Sequence, residues 1–257
     1  MYYQIIRSFI GGFVTSAYVI SFPKSGRTWL RMLIADYYAK VYELNLTPSF
    51  YQLWRQNYRV PIIQFTHMGS SEEDFLEFNF NYKKMLKKKV VCLIRDPRDV
   101  IVSYYFHKTR RERRLRDLTI QDFIQNEIYG ISRIIGFMNL IAEIINQYDN
   151  LKVISYESIH KNPEAILKSV LEFLGEYQIN NSDINKAVCD CSFTNMRGME
   201  MGVELNHFSM KLRNFDDPQS YKVREGKVGG YVNYLSDEDI DKLNVYIKKN
   251  LNEMYRY

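Results

Sequence analysis

A segment near the start of the chain combines residue types that bind phosphate or sulfate. Residues 22–29 read Phe-Pro-Lys-Ser-Gly-Arg-Thr-Trp, directly after a β-rich run at 17–21 and directly before a helical pattern. A helix N-terminus exposes unpaired N–H groups that favour an anion. The segment adds a cation, hydroxyl donors and a close backbone approach through Lys24, Ser25, Gly26 and Thr28. It therefore predicts an anion-binding loop, with an ordinary helix-capping turn as the alternative.

The spacing of this loop differs from that of ATP-binding loops. Those loops place a lysine directly after their last glycine, whereas here Lys24 precedes Gly26. The difference argues against one alternative, a nucleotide-dependent kinase or ATPase. A second alternative is a non-catalytic nucleotide-binding module, which would keep the loop and lack a catalytic base.

A second candidate anion site follows another apolar run. Arg95 comes directly after the run 90–94 and just before Pro97, which suits the first turn of a helix. A guanidinium can bind a phosphate through two parallel hydrogen bonds, and Ser103 could add a hydroxyl from the helix that follows. The alternative is a structural salt bridge from Arg95 to Asp99.

The elements that must position these residues alternate along the chain. Short apolar or β-branched runs predict strands at 17–21, 61–65, 89–94 and 151–155. Helical patterns lie between and after them, at 28–40, 98–116, 120–127, 131–147, 163–175 and 236–254. Strands separated by helices predict an α/β fold: a doubly wound three-layer α/β/α sandwich with a central, mostly parallel sheet.

Ligands of such folds bind beyond the carboxyl ends of the strands. The residues found there are the loop 22–29, Thr66 with His67, Arg95 and its neighbours, and Tyr156 with Glu157. We therefore expect these residues to assemble one nucleotide pocket.

Composition limits the class of protein. The 257 residues fit a single domain spanning 1–257. The net charge of +5 suits an anionic ligand and is too small for a nucleic-acid binder. Three cysteines form no disulfide framework or metal-ligand spacing, so we expect a reducing compartment, a buried Cys92 and no metal.

The apolar N-terminal extension, residues 1–16, raises the question of a membrane. It is too short and too interrupted by glycine for an integral membrane segment. It also resembles a secretion signal only loosely, because cleavage would remove the strand that precedes the anion loop. We expect a cytoplasmic protein, with peripheral membrane contact through this extension as the alternative.

Together these segments resemble the cytosolic-type sulfotransferases, bacterial members included, which use 3′-phosphoadenosine 5′-phosphosulfate (PAPS) as donor. Four motifs carry the resemblance, in the family's order and across about 17–235. They are the 5′-phosphosulfate loop at 22–29, the 3′-phosphate motif at 95–105, the adenine-side segment at 155–163 and the Gly-rich phosphate loop at 224–231. The resemblance implies a P-loop-like sulfotransferase fold and an enzyme that needs no metal.

The resemblance also implies roles for individual residues. The 5′-phosphosulfate would be held by Lys24, Ser25, Gly26, Arg27 and Thr28. The 3′-phosphate would be held by Arg95, Ser103, Arg224, Glu225 and Gly226, although Glu225 replaces the family's lysine. The adenine would lie against Trp29, Tyr156, Ser192, Phe193 and Met196, where Trp29 as a core anchor is the alternative.

The catalytic base of the family usually follows the second strand, and His67 has that position. A histidine titrates near neutral pH and suits the removal of a proton from an acceptor hydroxyl or amine. The other histidines, His107, His160 and His207, lack this position. Lys24 would neutralise the charge that develops on the departing 5′-phosphate.

Three replacements relative to the family point to a subfamily with redistributed charge: Arg27 for threonine, Glu225 for lysine, and Phe65 where lysine is frequent. The sequence leaves the acceptor open. The basic run 108–116 predicts a solvated helix face, with attraction of an acidic acceptor as the alternative.

Variable loops at 47–59, 69–80 and 199–221 would bind the acceptor, a small molecule, glycan or lipid. A homodimer is compatible with the sequence.

Overall fold

The computed structural model describes residues 15–47, 49–67, 85–113, 115–201 and 216–257. Within these ranges four parallel strands form one sheet in the order β2-β1-β3-β4. The strands are β1 (Ala17–Ser21), β2 (Ile63–Thr66), β3 (Lys89–Ile94) and β4 (Leu151–Ser155). Three of them match the predicted bounds. The second begins two residues later than predicted, after Pro61, whose nitrogen has no hydrogen to donate to a ladder.

Ten α-helices occupy the described ranges. They are α1 (Arg27–Val41), α2 (Phe50–Gln56), α3 (Pro97–Phe106), α4 (Ile120–Gln125), α5 (Ile131–Ile145), α6 (Tyr156–Lys161), α7 (Pro163–Leu174), α8 (Asn181–Asp190), α9 (Phe193–Met201) and α10 (Asp237–Asn250). A π-helix (His107–Arg111) and two 3₁₀ turns (Pro218–Ser220 and Gly230–Asn233) complete them. Side-chain caps define several starts, including that of α10, where Ser236 Oγ accepts from the N–H of Asp239.

The sheet is covered on both faces, as the three-layer prediction requires. Alternate side chains of β1 and β3 point to opposite faces. Val19 and Leu93 pack in a core with α1, α2, α7, α8 and α9, whereas Ile20 and Cys92 pack in a core with α3, α4, α5 and α10. Burial on both faces explains why these strands are continuous apolar runs. The carboxyl ends of the strands are left as the exposed edge where a ligand can bind.

The basic run 108–116 departs from the predicted solvated helix. α3 ends at Phe106, and the π-helix that follows turns Lys108 and Arg111 inward, to exposures of 5% and 8%. Carboxylates compensate the burial of both cations, Glu112 at 2.9 Å from Lys108 and Glu200 at 2.8 Å from Arg111. The prediction of a solvated face was therefore wrong for these two residues, although Arg110, Arg113 and Arg116 are exposed.

None of the described helices combines the length and the apolarity that crossing a bilayer requires. Nor do the described ranges contain three or more histidine, cysteine or acidic side chains grouped to hold a metal ion.

Candidate functional site

Residues that follow all four strands line one cavity of about 510 Å³. Lys24 follows β1, His67 follows β2, Arg95 follows β3 and Tyr156 follows β4. The cavity lies where the strand order reverses, since β1 has β2 on one side and β3 on the other. The structure therefore brings together residues that lie far apart in the sequence, as the strand-end argument predicts.

The loop after β1 has a backbone that few residues can adopt. Gly26 is the N-cap of α1 with φ of 96°, and Lys24 has φ of 70°. A side chain at Gly26 would also collide with the ring of Tyr156. Glycine is thus required here both by conformation and by space. The next residues, Arg27 and Thr28, line the cavity from the first helical turn, whose N–H groups have no acceptor within the helix.

Positive charge is concentrated around Lys24. Burial, and then the nearby charges of Arg111, Arg224 and Arg95, lower the pKa of Lys24 to about 7, against the opposing effect of Glu200. Cations placed this close repel one another unless an anion lies between them. The site is therefore built for a polyanionic ligand.

The hydrogen bonds of His67 define its protonation. Arg27 Nη2 lies 2.7 Å from His67 Nε2, and His67 Nδ1 lies 2.9 Å from the carbonyl oxygen of Ser21. A guanidinium only donates, so Nε2 accepts from Arg27 and Nδ1 carries the hydrogen given to Ser21. Burial, and then the charge of Arg27, hold the pKa of His67 well below its ordinary value. His67 is thus a neutral imidazole whose basic nitrogen faces a cation.

Arg95 takes part in the predicted salt bridge and also lines the cavity. Its Nη2 lies 3.4 Å from Asp99 Oδ2 and donates to the carbonyl of Lys227 at 2.8 Å. Its guanidinium stacks on the ring of Tyr156, 4.3 Å from the centroid, while Nη1 donates to the carbonyl of Lys24 at 3.3 Å. Ser103 lines the same cavity from α3. The salt bridge orients Arg95 rather than removing it from the site.

Aromatic rings form another wall of the cavity. Trp29 is fixed by its Nε1, which donates to the carbonyl of Cys191 at 3.0 Å, and its ring meets Tyr156 edge-on at 5.7 Å. Trp29 is therefore both an anchor and a cavity residue. Ser192, Phe193 and Met196 line this wall as well, from the start of α9.

A loop near the carboxyl end covers the other side. Arg224 donates to the hydroxyl of Tyr234 at 2.6 Å and pairs with Glu225 at 3.3 Å. A side chain at Gly226, whose φ is 65°, would collide with the ring of Phe193. Asp99 attaches this loop to α3 by accepting from the N–H groups of Gly229 and Tyr231, at 2.9 and 3.0 Å.

Several residues of the site were not predicted. Glu200 is buried, pairs with Arg111, and accepts from the N–H groups of Lys222 and Val223 at 2.6 and 2.8 Å. It thereby holds the segment that precedes Arg224, and no sequence signal marks it. His107 lies four residues after Ser103 on one helical path, a spacing that could have placed it in the cavity. His160 and Lys222 also line the cavity.

Comparisons with known proteins agree with this geometry. A family model described as "Sulfotransferase domain" matches residues 15–255. Sulfotransferase 2A1 of Macaca fascicularis is 26% identical over 250 residues, which cover 88% of this chain and 81% of that protein. Flavonol 3-sulfotransferase of Flaveria bidentis is 24% identical over 260 residues, covering 91% and 81%. The structure of mouse sulfotransferase SULT7A1 complexed with PAP aligns with a TM-score of 0.66 at 20% identity, covering 93% of this chain and 84% of that one.

Proposed function

Because the chain belongs to the sulfotransferase family, we propose that it transfers the sulfuryl group of PAPS to a hydroxyl or amine of an acceptor. One observation carries the proposal: the four strand ends deliver a cation, a neutral imidazole, a guanidinium and an aromatic wall to a single cavity. A cavity of about 510 Å³ falls within the usual range for a ligand of this size. PAP is the product that PAPS becomes when it gives up its sulfuryl group. The mouse sulfotransferase complexed with PAP supports the choice of nucleotide.

The residues present fit a donor with charges at both ends of a nucleoside. Among the described residues, three cavity arginines each keep a buried nitrogen without a hydrogen-bond partner: Arg27 Nη1, Arg95 Nε and Arg224 Nε. Buried donors of this kind are costly unless a ligand satisfies them. Phosphate and sulfate oxygens would do so.

The donor would be held in three parts. Lys24, Ser25, Gly26, Arg27 and Thr28 would hold the 5′-phosphosulfate. Arg95, Ser103, Arg224 and the Gly226 backbone would hold the 3′-phosphate, with Glu225 orienting Arg224. Trp29, Tyr156, Ser192, Phe193 and Met196 would enclose the adenine.

The chemistry of the protein side follows from the protonation of His67. PAPS supplies the sulfuryl group. His67 Nε2 takes the proton of the acceptor hydroxyl, and the bond from Nδ1 to Ser21 keeps the imidazole oriented as positive charge forms on it. Arg27 must leave Nε2 for this to happen. Lys24 supplies the positive charge where the leaving oxygen becomes negative.

Thermal stabilisation by nucleotides tests the donor site. PAP at about 100 times its Kd should raise the melting temperature by roughly 5–10 °C, since that occupancy stabilises the folded state by about 2.7 kcal/mol. ATP with magnesium and 5′-AMP should give much smaller shifts. Arg224→Gln should reduce the PAP shift and spare the 5′-AMP shift, because only PAP carries a 3′-phosphate. Equal shifts with PAP and ATP would contradict the proposal.

The affinity for PAP should weaken as the pH rises above about 7. Lys24, whose pKa is lowered to about 7, is protonated below that pH and loses its charge above it. The bound anion raises this pKa, so Kd should increase by up to about tenfold per pH unit between pH 7 and 9. Calorimetric titrations of wild type and Lys24→Met would measure the change.

The matched control for this titration is Lys222→Met. Burial, and then the charge of Lys24, also lower the pKa of Lys222 to about 7. The slope should flatten more in Lys24→Met than in Lys222→Met. An unchanged slope in Lys24→Met would disprove the assignment of the titrating group.

A further inference from the structure

A second group of cations lies close to His67 and, apart from Arg27, has no part in the donor assignments. Arg27 contacts His67 directly, at 2.7 Å. Arg31 follows four residues later on α1, and Lys222 lines the same cavity as Arg27 and His67. The charges of Arg27, Lys222 and Arg31 all act on His67. We call Arg27, Arg31 and Lys222 the acceptor-side cations.

The position of Arg31 is set by packing against β2. Residues four apart on a helix share one face, so Arg31 lies one turn, about 6 Å, further along α1 than Arg27. Its guanidinium stacks on the ring of Phe65, 4.6 Å from the centroid. Phe65 lies in β2 two residues before His67, which directly follows the strand, and the charge of Arg31 acts on His67. Arg31 therefore lies alongside His67, away from the loop 22–26.

Arg27 and Arg31 have no anionic partner among the residues that the structure describes. No described carboxylate lies within salt-bridge distance of Arg27 or Arg31, and Arg27 Nη1 and Arg31 Nε are buried with no hydrogen-bond partner among the described residues. Burial lowers the pKa of Arg27 to about 9 and that of Arg31 to about 10, so both stay charged at neutral pH. Charged groups buried in this way need a counter-charge.

The donor does not supply that counter-charge to both. Its two charged ends would be bound by Lys24 and Arg224, which belong to the loop 22–26 and the loop at 224–231, and by Arg95, which contacts both loops. Arg27 lines the cavity from the first turn of α1 and contacts His67, so it can reach either substrate. Arg31 lies one helical turn further along α1, and its charge acts on His67 and Lys222.

We propose that the acceptor is itself an anion, with a carboxylate, phosphate or sulfate group placed roughly one helical turn, about 6 Å, from the hydroxyl that receives the sulfuryl group. This inference rests on the proposed function and names its substrate class. The anionic group binds Arg31 and Lys222, and it draws Arg27 away from His67 Nε2. Acceptor binding then frees the base, so that a molecule lacking the anion leaves Nε2 occupied by Arg27.

Transfer of ³⁵S from labelled PAPS to a host-cell extract tests the inference. The extract is divided into aqueous and lipid phases, and each phase into fractions that bind or do not bind an anion exchanger before labelling. Label should enter only the anion-exchanger-bound fractions. Label in the aqueous phase would then indicate an acidic sugar or small metabolite as the acceptor. Label in the lipid phase would indicate a lipid with an anionic headgroup. Label in the unbound fractions would overturn the inference, whereas label in no fraction would contradict the proposed function itself.

Variants separate a substrate role for Arg31 from a structural one. Arg31→Met should raise the KM for the labelled anionic fraction at least tenfold while leaving the PAP-induced rise in melting temperature intact. Arg31→Lys should recover part of this loss. The control is Lys242→Met, which removes an exposed cation on α10 and should change neither measurement. An unchanged acceptor KM in Arg31→Met would overturn the inference.

Discussion

Replacing His67 with alanine should lower kcat by about 10²- to 10⁴-fold, the range usual for loss of a general base. Within the described residues that line the cavity, His67 is the imidazole fixed as a neutral base, because its Nδ1 donates to Ser21 and its Nε2 carries the lone pair. The affinity for PAP should change little, since His67 is not among the proposed donor ligands. Steady-state kinetics and PAP titration of the same preparation would check both expectations.

The pH profile provides an independent test of His67. A base acts in its neutral form, so activity should persist well below pH 6.5 and disappear only as the pH falls through the lowered pKa of His67. Removal of the charge in Arg27→Met should raise that pKa and move the acidic limb to higher pH. Near-normal kcat in His67→Ala, or an acidic limb that stays in place in Arg27→Met, would contradict the assignment.

Replacing Lys24 with methionine should lower kcat by about 10²- to 10³-fold, as loss of a single group that stabilises transition-state charge does. PAP should also bind more weakly, because one cation of the donor site is gone. A cation is most valuable here, because the neighbouring side chains exclude water and leave the developing charge poorly solvated. Single-turnover measurements with saturating PAPS would separate the effect on chemistry from the effect on binding.

The same substitution should make the ligand-free protein more stable. The pKa of Lys24 is about 7 in the folded protein and 10.5 ordinarily, so the unfolded chain holds its proton more tightly. Burial of Lys24 therefore destabilises the fold, and the penalty is largest below pH 7, where the buried amine is charged. Lys24→Met should melt at a higher temperature than wild type, with the larger difference at pH 6. A lower melting temperature together with low activity would indicate misfolding and contradict this explanation.

The sequence predicted the framework well where burial alone determines structure. β1 and β3 are nearly continuous apolar runs, and their bounds match because a strand buried on both faces is easily recognised in the sequence. The bounds of β4 also match, although only Leu151 and Ile154 of this strand are buried. The short helices α2, α6, α8 and α9 were not predicted, since few residues of each are buried and their starts depend on caps such as Ser155 with Ser158. The predicted loop at 69–80 and much of the one at 199–221 lie outside the described residues.

Individual contacts between distant residues could not be predicted. The sequence did predict that the loop 22–29, Arg95 and Tyr156 come together, because the strand ends of a parallel sheet lie at one edge. The bond between Arg27 and His67 joins residues 40 apart, and the pair of Arg111 with Glu200 joins residues 89 apart. No local sequence pattern marks either contact. Both depend on packing that only the folded chain reveals, as does the inward turn of the basic run at the π-helix.

The contacts of Arg95 also set when the cavity can be completed during synthesis. Its guanidinium donates to the carbonyl of Lys24 on one side and to that of Lys227 on the other, and so joins segments that lie far apart in the sequence. Such non-local contacts form slowly in folding, and a ribosome makes the first segment long before the second. A nascent chain thus carries the loop 22–26 before the loop at 224–231 exists, and both loops enclose the cavity only once the second has been made.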